Sequence, residues 1–161
     1  MYYSIILLMS GICLLMFIGI KRYLRNKALK IVQHASKKIS DEAFLTCIKK
    51  VNLDNFDGTL VTQPLTCEYI ADVWGKGVLA FEYSIKAQNI LPSQLNDFKR
   101  QLTKALNEYA KKQKLTTLKN SQHVFIISDI WLFANVLHID IAHIANQQTL
   151  AYLKDLKKLE D

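Results

Sequence analysis

Residues 124–144 read VFIISDIWLFANVLHIDIAHI. Two runs rich in β-branched and aromatic residues, Val124 to Phe133 and Val136 to Ile144, flank Ala134-Asn135. That spacing predicts an antiparallel hairpin closed by a two-residue turn. In the second run Leu137, Ile139 and Ile141 alternate with His138 and Asp140, so one face is apolar and the other polar. With Ala134-Asn135 as the turn, Asp129 falls opposite Asp140, and His143 points to the other face. A carboxylate pair beside an imidazole is suited to metal binding or acid–base chemistry. The plainer expectation for Asp129, His138 and Asp140 is the solvated face of a hairpin, with no catalytic role.

Upstream, Leu79, Phe81, Tyr83 and Ile85 alternate with Ala80, Glu82, Ser84 and Lys86, the period of a half-buried strand. Leu91-Pro92-Ser93 then opens a helix, with Leu95, Phe98, Leu102, Leu106 and Tyr109 recurring on one face. Its other face carries Lys99, Arg100, Lys104, Lys111 and Lys112, a candidate surface for phosphates or a partner, interrupted by Asp97 and Glu108. Downstream of the hairpin, Gln147 to Leu159 reads as a helix with Leu150, Leu153 and Leu156 inward. The predicted order is β-α-β-β-α, a small α+β domain over residues 41–161 on an antiparallel or mixed sheet. Residues 52–77 are rich in turn formers, with Asp57-Gly58 expected to close a hairpin and Cys67 to Trp74 to add an extended segment.

At the other end, Tyr2 to Ile20 (YYSIILLMSGICLLMFIGI) is uncharged and apolar. A helix of that length matches a hydrocarbon core of roughly 30 Å, which predicts a single transmembrane helix over residues 1–20. A cleaved signal fits less well, because no basic residue precedes the run and no small-residue site closes it. Residues 21–40 form a basic collar with Lys21, Arg22, Arg25, Lys27, Lys30, Lys37 and Lys38 and no acid before Asp41. Lys21, Arg22, Arg25, Lys27 and Lys30 are expected to meet lipid headgroups, and the charge bias places the N-terminus outside and the C-terminal domain in the cytoplasm. The expectation is a single-pass protein of the cell membrane. Ser40-Asp41-Glu42 resembles the start of a new helix, expected over residues 41–50.

The net charge of +7 is that of the collar, since 14 basic and 14 acidic side chains cancel from Asp41 onward. A high pI is therefore a poor argument for nucleic-acid binding. Cys13, Cys47 and Cys67 are scattered and without zinc spacing, and in a reducing cytoplasm Cys47 and Cys67 are expected to be free thiols packed as small apolar groups. No G-x-x-x-x-G-K-[ST] or G-x-S-x-G pattern occurs, so no cofactor, metal or catalytic residue is assigned.

Gly75 to Glu82 (GKGVLAFE), Ala105-Leu106 in the following helix, and Ile139-Asp140-Ile141 followed by Asn146 form a pattern over about residues 75–156. It resembles the small α/β module that precedes the motor in FtsK-type DNA translocases and related conjugative coupling proteins, where the module also follows membrane spans. Ala80 stands where that family has arginine, no proline precedes Asn146, and the phosphate loop of the motor is missing. The resemblance implies a motorless accessory of a DNA-translocation or conjugative-transfer machine, contacting DNA or its ATPase. Read without it, the residues point to a membrane-anchored, non-enzymatic interaction or assembly module whose partners are the bilayer and a protein, with nucleic acid less favoured.

Overall fold

A computed structural model describes residues 2–51, 66–70, 77–87, 90–119 and 121–160. The expected Asp57-Gly58 hairpin lies outside the described residues. Helix α1 runs over Tyr2–Ile48, strand β1 over Thr66–Tyr69 and strand β2 over Ala80–Lys86. A 3-10 turn at Pro92–Gln94 leads into helix α2, Leu95–Lys112; strands β3, Phe125–Phe133, and β4, Val136–His143, follow, then helix α3, Gln147–Glu160.

The membrane assignment is corrected. Among the described residues no helix is long and apolar enough to cross a membrane. The apolar run of α1 ends at Ile20, and the rest of the helix, to Ile48, carries charged side chains along its length. Lys21, Arg22 and Arg25 follow within the next two turns. The transmembrane helix over residues 1–20, the single-pass localisation and the N-out, C-in topology therefore do not stand. The expected helix start at Ser40 is also absent, because α1 passes through it unbroken. No Gly or Pro interrupts residues 21–48. Ser40 is buried, and Asp41 accepts hydrogen bonds from Lys37 Nζ (2.8 Å) and the Tyr83 hydroxyl (3.0 Å) instead of capping a new helix.

The chain divides into two compact units, Met1–Ala35 and Ser36–Asp161. The first is the leading part of α1, along which Lys21, Arg22, Arg25, Lys27 and Lys30 are all exposed. The second is an α+β layer structure on a four-stranded antiparallel sheet in the order β1-β2-β4-β3. Because β2 sits between β1 and β4, the central pair joins strands separated in sequence by α2 and β3.

One face of the sheet carries the main core. Phe81, Tyr83 and Ile85 of β2 and Leu137, Ile139 and Ile141 of β4 are buried with Phe98, Leu102, Leu106 and Ala110 of α2. Ala43, Phe44, Cys47 and Ile48 from the end of α1 join them, and the Phe44 ring stacks on Tyr83 at 4.3 Å between centroids. The expected helix face of α2 is thus the buried one, and the aliphatic alternation in β2 and β4 points inward as the pattern requires. Over the other face lies α3, seated where β2 and β4 present paired alanines, Ala80 and Ala142, against Tyr152, with Leu153 and Leu156 beside it. Methyl groups there let the helix approach closely; larger side chains would hold it off.

The start of α3 is tied to the sheet by polar groups. Asn146 Oδ1 accepts hydrogen bonds from the Thr149 backbone N–H (2.8 Å) and hydroxyl (2.7 Å), and its Nδ2 donates to the Gly77 carbonyl (2.7 Å). The Thr149 hydroxyl in turn accepts from the Leu79 N–H (2.9 Å) and is fully buried. Thr149→Val keeps the shape and removes the hydroxyl, leaving the Leu79 N–H unpaired. An urea melt should show a loss of about 1–2 kcal/mol; no loss would mean that this N–H finds water and the tie is not structural.

The hairpin closes as its spacing predicts. Ala134 and Asn135 both have positive φ, 48° and 61°, which is the turn whose twist matches that of the flanking strands. Phe133 faces Val136 and Asp129 faces Asp140. Beyond Asp129 the register shifts, with Ile127 opposite Ile141, so Ser128 is an extra residue in a β-bulge. The bulge exchanges the faces: Phe125 and Ile127 join the core on one side of it, Ile130 and Leu132 on the other. Asp129, Trp131 and Phe133 are thereby aimed at the face on which α3 lies.

Candidate functional site

Residues directly opposite one another in paired strands share a face. Glu68 of β1 is paired with Glu82 of β2, Glu82 with Asp140 of β4, and Asp140 with Asp129 of β3. Four carboxylates, one from each strand, therefore cross the whole sheet in a single row beside α3. Like charges at such positions repel, so the row costs stability. The cost is concentrated at Asp140. Burial first, then the charges of Glu82 and Asp129, raise its pKa to about 7. Its Oδ1 is buried and has no hydrogen-bond partner among the described residues.

The next row holds Ser84, His138 and Trp131, again in register. His138 Nδ1–H donates to Glu82 Oε1 at 2.6 Å, and the Ser84 oxygen lies 3.2 Å from the same nitrogen. The Trp131 indole lies nearly parallel to the imidazole, with ring centroids 4.9 Å apart and planes 6° apart. His138 is held from the side and from above, so Glu82 is fixed in direction. One row further, Lys86, Val136 and Phe133 end the face; Lys86 is exposed and Phe133 is 71% exposed.

The structure brings Asp129, His138 and Asp140 to one face, as their spacing suggests; Asp129 is exposed, but His138 and Asp140 are half-buried and not simply solvated. Sequence reasoning did not find Glu68, Glu82, Ser84 or Trp131 for this site. The polar phase of β2 marks Glu82 and Ser84 as outward-facing; nothing local says that β4 lies beside them. Among the described residues, no group of three or more His, Cys, Asp or Glu side chains is placed to hold a metal ion. The carboxylates are spread along a line, not gathered around a point. Such an arrangement can hold a proton near neutral pH and can attract an extended pattern of positive charge.

His143 is a separate feature on the core side. Its Nδ1 lies 2.7 Å from the Ser36 hydroxyl, its ring stacks on Phe125, and burial lowers its pKa to about 4. It is a neutral, structural imidazole. Cys67 and Cys47 are pushed up to about 11, mainly by burial, so both thiols stay protonated and unreactive at neutral pH.

The lysine face of α2 is less uniform than its sequence suggests. Lys99 is half-buried and reaches the Ser128 carbonyl (3.5 Å), and Arg100 is paired with Asp97. Lys104, Lys111 and Lys112 are exposed. Lys112 also lines an open cleft of about 490 Å³ between α2 and the end of α1, together with Glu42, Thr46, Lys50, Glu108 and Tyr109. That cleft mixes both signs of charge and lies on the opposite side of the sheet from the carboxylate row. Comparison with protein-family models, with curated proteins and with solved structures found no match for this chain.

Proposed function

We propose that residues 36–161 form a non-enzymatic interaction module that binds a protein partner through the part of the second sheet face that α3 leaves uncovered. The observation that carries this reading is the composition of that strip. Trp131, Val136 and a largely exposed Phe133 lie beside half-buried polar groups, and none of the three belongs to either packed apolar cluster among the described residues. Aromatic anchors with a polar border are the usual make-up of a protein contact surface. Its half-buried histidine is locked by Glu82 and Trp131, and locking of that kind suits a fixed recognition surface better than a group that must shuttle protons.

The reading as a motorless accessory of a DNA-transfer machine draws on the exposed Lys104, Lys111 and Lys112. Equal numbers of basic and acidic side chains from Asp41 onward, and the internal ties of Lys99 and Arg100, weigh against a phosphate-tracking face. A photo-crosslinking amino acid placed at Phe133 tests the two together, with one at Lys111 as the comparison. The interaction module requires a discrete protein adduct from position 133 that is lost on Trp131→Ala. Adducts to nucleic acid from position 111, with none from position 133, would replace this reading by the DNA accessory.

A further inference from the structure

We infer that α3 is a pH-operated cover on the sheet: Tyr152 closes over the Asp140 carboxyl while that group holds its proton, and α3 beyond its first turn lifts away when the proton leaves to water.

Position carries the inference. Asp140 lies two residues before Ala142 on β4 and so shares its face, and Ala142 is packed against Tyr152 of α3. Among the described residues of α3 beyond its first turn, Tyr152 is the one that is buried. Burial raises the pKa of its phenol, a hydrogen bond with the Ser128 side chain offsets part of that, and the charges of Asp140 and Asp129 add to it. Ser128 is the bulge residue, and its hydroxyl donates to the Asp140 carbonyl (3.3 Å). Tyr152, Ser128 and Asp140 thus meet at one place. The carboxyl there has its Oδ1 out of water, with no hydrogen-bond partner among the described residues. A protonated carboxyl tolerates such a place; a carboxylate lacks both water and a donor.

The groups facing Asp140 leave its ionised form unrelieved. β2 presents Glu82, β3 presents Asp129, and α3 presents the phenol of Tyr152. His138, two residues back on β4, is turned to Glu82 (2.6 Å), and the next carboxylate beyond Glu82 is Glu68 of β1. Relief has to come from water, and α3 is the element whose movement admits it. Strand pairing on both sides holds Asp140 where it is. By contrast, α3 rests on a small apolar seat, with Tyr152, Leu153 and Leu156 against Val78, Ala80 and Ala142, and lifting it breaks no strand ladder. Its first turn stays tied through Asn146 and Thr149, which makes that end the hinge. Elements with so little buried apolar surface are the first to open in a fold.

The sign follows from the proton. With α3 down, the Asp140 carboxyl titrates at about 7. With α3 lifted the group meets water and releases its proton at lower pH, so docking weakens as pH rises towards 7 and stays weak above it.

The test is amide hydrogen exchange on the full chain at about pH 5.5 and about pH 8.5, each rate divided by that of an unstructured peptide at the same pH. The amides of residues 151–159 should lose at least about tenfold in protection across that range. At the higher pH they should exchange at least about tenfold faster than those of residues 98–110 in α2, because α3 opens before the unit unfolds. Asp140→Asn, which cannot ionise, should hold α3 at one level of protection at both pH values. Asp129→Asn, at an exposed position, removes one flanking charge and should shrink the loss without abolishing it. Exchange of α3 in step with α2 at both pH values, protection of α3 that ignores pH, or a loss that persists in Asp140→Asn would each overturn the proposal.

Discussion

Asp140→Asn should make the protein more stable at pH 8 by about 2–3 kcal/mol, while leaving it unchanged at pH 4. The Asp140 carboxyl has its pKa raised to about 7 in the folded protein, by burial and by Glu82 and Asp129, against an ordinary unfolded value near 3.8. Between those values the folded state keeps a proton that the unfolded state releases, so stability falls as pH rises from about 4 to about 7 and stays low above that. The full shift would correspond to about 4 kcal/mol, reduced here because the group is only partly buried and solvent screens part of the repulsion. Asparagine cannot ionise, and its amide can donate to the flanking carboxylates. His143 acts with the opposite sign. Its pKa is lowered to about 4 by burial, so the unfolded state takes up a proton first, and stability rises with pH between about 4 and 6.5. The two slopes oppose each other in the native chain. Of these two, the Asp140→Asn variant keeps only that of His143, and its urea midpoints across pH 4 to 8 should lose the native fall toward pH 7 and climb to about pH 6.5. A variant no more stable than the native chain at pH 8 would show that Asp140 is not ionised against its neighbours in the fold.

Phe44→Ala should cost about 3–5 kcal/mol, a large share of the 5–15 kcal/mol that holds a typical domain together. Phe44 is fully buried and stacks on Tyr83, whose hydroxyl donates to Asp41 one turn earlier in the same helix. Removing the ring leaves a cavity against β2 and frees a segment, residues 36–48, that has no other large aromatic in the core. The measurement is the urea midpoint followed by tryptophan fluorescence. A loss below about 1 kcal/mol would mean that the end of α1 is a passive neighbour of the sheet. A cost of the expected size makes it a structural layer of the second unit, Ser36–Asp161.

The parts of this fold that were legible are those governed by neighbours in sequence. The alternation in residues 79–86 and 136–141 sets which side chains are buried, because side chains on a strand alternate faces. The three- and four-residue spacing of Phe98, Leu102 and Leu106 sets the buried side of α2. Ala134-Asn135 sets the turn, and with it the pairing of Asp129 with Asp140. The N-terminal apolar run was legible as a helix, but the transmembrane reading was not carried, since among the described residues no helix is long and apolar enough to cross a membrane.

The carboxylate row was beyond reach of local patterns. It depends on β4 lying beside β2, which brings His138 to Glu82 across 56 positions of chain, and on β2 lying beside β1, both of which follow from how two amphipathic layers bury their apolar faces together. It depends also on one extra residue, Ser128, whose bulge turns Asp129 and Trp131 to the face of His138 and Asp140. Chain order and periodicity determined what each strand shows to either side; only the sheet order, the bulge and the seat of α3 decided that four acids would meet in a line whose two middle members are half out of water.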